Sequence, residues 1–173
     1  MDSQVELKHG WNLQAAPQVE AFINEAKDEI YWGAKVYAKA NYNSEHAKGD
    51  FVKGLWRLDV IELFVRDLNS KSYQEFNLAP SGAYWSAVFK DNRVPADNHE
   101  RELGEVDIHS QIDGDSWFAS MRIRKKQLGV GSDNLLINMT AVLSTVTESC
   151  YLSLLPTQSV NPDFHGIISG IKS

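Results

Sequence analysis

Apolar and polar residues alternate with a period of two along most of this chain. Ile30, Trp32, Ala34, Val36 and Ala38 alternate with Glu29, Tyr31, Gly33, Lys35 and Tyr37. That spacing predicts a strand with one face in a core. The same alternation predicts strands over 73–78, 84–89, 105–112, 117–123, 135–144 and 151–155. Residues 19–26 fit a helical face and a strand face alike. A turn at Lys27-Asp28-Glu29 favours a hairpin there. Ala79-Pro80-Ser81-Gly82 and Asp113-Gly114-Asp115 read as tight turns. Residues 1–17 read as an irregular lead-in with a short strand near Val5. Residues 40–54 and 90–104 read as two polar loops, 125–128 as a single helical turn, and 156–173 as a mostly irregular, docked tail. Some eight to ten short strands separated by turns, with at most one or two short helices, predict an antiparallel β-sandwich or barrel. With no repeat and no linker in sight, residues 1–173 are expected to form a single domain.

One predicted strand departs from simple alternation. In 56–65, Ile61, Leu63 and Val65 fall on one face, and Leu58, Val60, Glu62 and Phe64 on the other. A strand apolar on both faces is expected to be central and covered on both sides. A carboxylate among such neighbours, Glu62, is costly unless something pairs with it. Trp56 precedes the strand on the same nominal face, after the long 40–54 loop. Loops of that length often carry function.

Composition narrows the function classes. The chain has 17 Lys and Arg against 23 Asp and Glu, a net charge of −6. Its densest basic cluster, Arg122, Arg124, Lys125 and Lys126, overlaps a predicted strand, so a nucleic-acid partner is not expected. The single cysteine, Cys150, excludes an intrachain disulfide or a multi-cysteine zinc site and reads as a buried, inert thiol. No run is long enough to span a bilayer as a helix. Met1-Asp2-Ser3-Gln4 carries no visible secretory signal, so a cytoplasmic location is expected.

No catalytic signature stands out, and a non-enzymatic protein is expected. Asp107 and His109 share a strand face, and Asp163 and His165 are two apart in the tail. Either pair would need a third converging group to make a site; a solvated strand face and a docked tail are the commoner settings. Of five tryptophans, Trp32, Trp85 and Trp117 sit on apolar strand faces and read as core. Trp56 is different. A flat indole at the rim of a sandwich can stack on the C–H face of a sugar ring, with carboxylates and amides taking the hydroxyls. Glu62, Asn77 and Thr140 supply such groups if their strands are neighbours.

The stretch Trp56-Arg57-Leu58-Asp59-Val60-Ile61-Glu62 carries the spacing W-x-x-D-x-x-E. With it, the chain resembles the family-nine carbohydrate-binding modules and their DOMON-like relatives. Further matches are 73–77, the turn 80–85, Arg93 after the return strand, 135–140 and 161–165, so the likeness spans roughly residues 28–170. The resemblance implies a jelly-roll or immunoglobulin-like sandwich that binds saccharide without catalysis, with structural calcium in some members. It implies a ligand site at Trp56, Glu62, Asn77, Arg93 and Thr140. Two tryptophans clamp the ligand in the sugar-binding members. Trp56 matches the first; Phe164 is the aromatic nearest the place of the second. Asn77 stands where those members carry a basic residue.

Overall fold

The computed structural model describes residues 4–157 and 159–170. In chain order the strands are β1 (Gln4–Glu6), β2 (His9–Trp11), β3 (Val19–Glu25), β4 (Glu29–Val36), β5 (Val60–Asp67) and β6 (Tyr73–Leu78). They continue with β7 (Tyr84–Asp91), β8 (Val94–Glu100), β9 (Asp107–Asp113), β10 (Ser116–Arg124), β11 (Leu135–Ser144) and β12 (Ser149–Ser153). One α-helix, α1 (Phe164–Gly170), follows. A five-stranded sheet runs β1-β3-β4-β10-β9 and a seven-stranded sheet β2-β12-β11-β5-β6-β7-β8. Every strand pairing is antiparallel. The fold is an all-β sandwich.

The two sheets close on one apolar core. Ile30, Trp32, Ala34 and Val36 of β4 and Trp117, Ala119, Met121 and Ile123 of β10 meet Ile61, Leu63 and Val65 of β5 and Phe76 and Leu78 of β6. The period-two pattern thus puts the expected residues inward, and 19–36 forms the expected hairpin. Burying side chains of this size contributes about 1.5–3 kcal/mol each. Cys150 is part of this core, and burial pushes its thiol up from the ordinary value.

The other face of the seven-stranded sheet is also apolar. Val60 and Phe64 of β5, Tyr73 of β6, and Trp85, Ala87 and Phe89 of β7 form a second cluster, covered by Phe164, Ile167 and Ile168 of α1. This is why β5 reads as apolar on both faces. Arg66, next on that face, donates from Nη1 to the Ile168 and Ser169 carbonyls at 3.0 and 3.2 Å. Those carbonyls belong to the last turn of α1, where a guanidinium is favourable.

The structure corrects or refines four readings. The 90–104 loop contains β8, an edge strand of Val94, Pro95, polar residues and an irregular register against β7. Such an edge has only one paired side and no buried face, so alternation gives no signal. The lead-in holds the expected short strand near Val5, as β1, and also a second strand, β2, on the other sheet. The tail is irregular in its described residues up to Asp163, as expected, but then forms α1. Trp85 does not join Trp32 and Trp117 in the core between the sheets; it belongs to the second cluster.

Candidate functional site

The strand register lines up the polar residues of the outer face. Glu62 of β5 lies opposite Thr140 of β11 on one side and Asn77 of β6 on the other, and Asn77 lies opposite Trp85 of β7. Residues paired in this way have neighbouring side chains. Glu75, two residues before Asn77, shares its face.

Each carboxylate has one neutral donor from the sheet itself. Thr140 Oγ1 donates to Glu62 Oε2 at 2.7 Å, and Asn77 Nδ2 donates to Glu75 Oε1 at 2.7 Å. Both glutamates are almost fully buried, at 3% and 5% exposure. Burial, and for Glu62 the neighbouring charge of Glu75, hold these carboxyls well above the usual carboxylate range.

His165 completes the floor. The backbone N–H of Arg93 donates to the Tyr73 hydroxyl at 3.0 Å, and that hydroxyl lies 2.7 Å from His165 Nδ1. In the tautomer that carries its hydrogen on Nε2, which lies 3.5 Å from Glu75 Oε2, Nδ1 accepts from that hydroxyl. Burial, helped by the charge of Arg93, pushes His165 down to about 4. His165 makes no hydrogen bond to Asp163, in keeping with the commoner setting of that pair. Asp163 Oδ1 instead accepts from Arg93 Nη2 and from the Gly166 N–H, each at 2.9 Å.

The rim is set by the end of the 40–58 segment. Gly54 sits in the left-handed region at φ 88°, and Leu55–Arg57 makes a single 3-10 turn. Asp59 ties this turn to the sheet. Its Oδ2 accepts from the Asn41 N–H at 2.9 Å and its Oδ1 from the Ser144 N–H at 2.7 Å. The W-x-x-D-x-x-E spacing therefore has a physical meaning: rim aromatic, loop anchor, floor carboxylate. The Trp56 ring leans on that of Trp85, with centroids 5.1 Å apart and planes at 59°. Trp85 Nε1 donates to Glu100 Oε1 at 3.0 Å, which Lys53 also reaches at 3.0 Å. Trp56 remains 37% exposed.

These groups enclose an open cleft of about 440 Å³. Of the expected site residues, Trp56, Glu62 and Arg93 line it; Asn77 and Thr140 lie fully buried behind it, holding the carboxylates. Glu75, Trp85, Phe89, Phe164 and His165 also line it and were not foreseen as site residues. The available signal was face membership, since Glu75 shares its strand face with Asn77. Phe164, from the place of the second clamping tryptophan, is 8% exposed and packs against Trp11, Phe64 and Tyr151.

The remaining pair does not converge with other groups. Asp107 bonds Arg122 at 3.2 Å, while His109 packs near Phe118. Among the described residues no three His, Cys, Asp or Glu side chains cluster to hold a metal ion, so no side-chain ligand set is assigned to the structural calcium the resemblance implies. No helix among them is long and apolar enough to cross a membrane.

No family model matches the sequence, and no curated protein matches it. Solved structures do. A Bacteroides uniformis protein proposed to bind carbohydrate superposes with a TM-score of 0.75, covering 95% of this chain and 82% of its own at 20% identity. A family 9 carbohydrate-binding module from Caldicellulosiruptor kristjanssonii in complex with cellotriose has a TM-score of 0.60 at 8% identity, covering 88% of this chain and 72% of its own. Its complex with glucose gives 0.60 at 9%, covering 88% and 74%. This chain has the fold of a family 9 carbohydrate-binding module.

Proposed function

We propose that this protein binds saccharide without catalysis, in the cleft on the outer face of its seven-stranded sheet. The observation that carries this reading is Trp56, a half-exposed indole braced by Trp85 above the buried Glu62 and Glu75. An indole held this way offers an apolar plane to a sugar C–H face, and the carboxyls beneath offer acceptors to its hydroxyls. Arg93 at the rim adds a charged donor. The non-catalytic reading is supported by the likeness of the fold to carbohydrate-binding modules.

Calorimetric titration with glucose and cellotriose tests this. Binding by the wild-type chain is expected, and Trp56→Ala is expected to weaken it about tenfold or more, the scale of a lost stacking aromatic. Failure of the folded wild-type protein to bind any mono- or oligosaccharide would sink the proposal.

A second reading, an interaction domain that keeps the fold without sugar binding, is favoured by one observation. Phe164 is packed into the second cluster and is only 8% exposed, which leaves little of its ring to close a clamp on Trp56. Saccharide binding lost on Trp56→Ala would exclude it.

A further inference from the structure

The floor of the cleft is rich in acceptors and poor in uncommitted donors. The Thr140 hydroxyl bonds Glu62 Oε2, and the Asn77 amide bonds Glu75 Oε1. Among the described residues Glu62 Oε1 takes no hydrogen bond, although the residue is 3% exposed and lines the cleft. Glu75 Oε2 lies 3.5 Å from His165 Nε2. The indole N–H of Trp85 is committed to Glu100.

The nearby arginines have partners of their own. Arg66 on β5 bonds the C-terminal carbonyls of α1, and Arg93 after β7 bonds Asp163. Tyr73 on β6 bonds the neutral His165. The field of Arg93 reaches Glu75, but no cation offsets Glu62. Above the floor stand the rings of Trp56, Phe64, Trp85, Phe89 and Phe164, and aromatic faces attract cations.

A sugar hydroxyl both gives and takes hydrogen bonds; a protonated amine only gives, and its charge favours the ionised form of the buried glutamates, which burial otherwise disfavours. We infer that the saccharide taken by this cleft carries a free amino group, its ammonium set between Glu62 and Glu75 and its ring stacked on Trp56. This rests on the saccharide reading above and specifies its ligand as an amino sugar. N-acetylation removes the charge, so the acetylated sugar is a poor ligand for the same floor.

The test compares cellotriose with the β-1,4-linked trimer of glucosamine and its N-acetylated form. Each is titrated calorimetrically into the full chain at pH 7 and physiological salt. The free-amine trimer is expected to bind about tenfold or more tightly than the other two, the scale of a desolvated cation contact. Glu62→Gln is expected to abolish that preference. The surface control Glu45→Gln, of equal net charge, is expected to keep the preference. Cellotriose binding as tightly as the amine would overturn the inference and leave the saccharide reading standing; no binding by any of the three would end both. A preference that survives Glu62→Gln, or that vanishes equally in Glu45→Gln, also overturns it. Circular dichroism confirms that each variant is folded.

Discussion

Thr140 on β11 and Glu62 on β5 face one another across a single rung of the outer sheet, joined by a 2.7 Å hydrogen bond. Both are almost wholly buried, so this bond is what makes the floor carboxyl tolerable inside an apolar sheet. Thr140→Val keeps the shape and removes the donor. It is expected to destabilise the fold by about 1–3 kcal/mol, read by urea denaturation at pH 7. An unchanged midpoint would show that the bond is not needed.

The carboxyls also set a pH dependence. Glu62 and Glu75 have folded values raised above their ordinary 4.5, so the folded state holds their protons more tightly. Their contribution is fully present below about 4.5 and is lost as pH rises through the raised values. His165 acts with the opposite sign. Lowered from 6.5 to about 4, it contributes above 6.5 and loses that contribution as pH falls towards 4. Above 6.5 only the glutamate effect remains, so stability should fall between pH 6.5 and 8. Glu62→Gln removes one group and relieves the other, and should raise the melting temperature at pH 8 and flatten the profile. A wild-type profile parallel to that of the variant would contradict this.

Asp59 is expected to matter more for the rim than for the sheet. It accepts two backbone N–H groups, one from the start of the long loop and one from the end of β11. Asp59→Ala leaves both without their acceptor, a loss of about 2–4 kcal/mol. Amide exchange should rise first across 41–58, while β5 and β6 remain protected. Uniform exchange across the chain would argue against a local anchor.

The two outer tryptophans should separate in stability measurements. Trp56 is 37% exposed and Trp85 only 4%. Trp56→Ala loses mainly the ring contact with Trp85, about 0.5–1.5 kcal/mol. Trp85→Ala opens a cavity in the second cluster and costs about 3–5 kcal/mol. Equal losses in chemical denaturation would mean that Trp56 is a structural residue rather than a free platform.

The sandwich was legible because alternation reports which side chains share a face. It put Ile61, Leu63 and Val65 in the core and Glu62 with Trp56 on the opposite side, and register then placed them so. Alternation carries less where a strand is apolar on both faces. The Trp85–Phe89 face of β7 looks like any core face, and nothing local says that it meets α1 and the 40–58 segment rather than the second sheet.

The sequence by itself determined the two-sheet class, the central position of β5 and the W-x-x-D-x-x-E stretch, because those follow from local spacing and the cost of burying polar groups. Only the tertiary structure decided what that stretch works with. Glu75, Trp85 and His165 reach Glu62 and Trp56 from separate strands and from the tail. Such convergence depends on register and on where a helix docks, and both are set by long-range packing that no local pattern encodes.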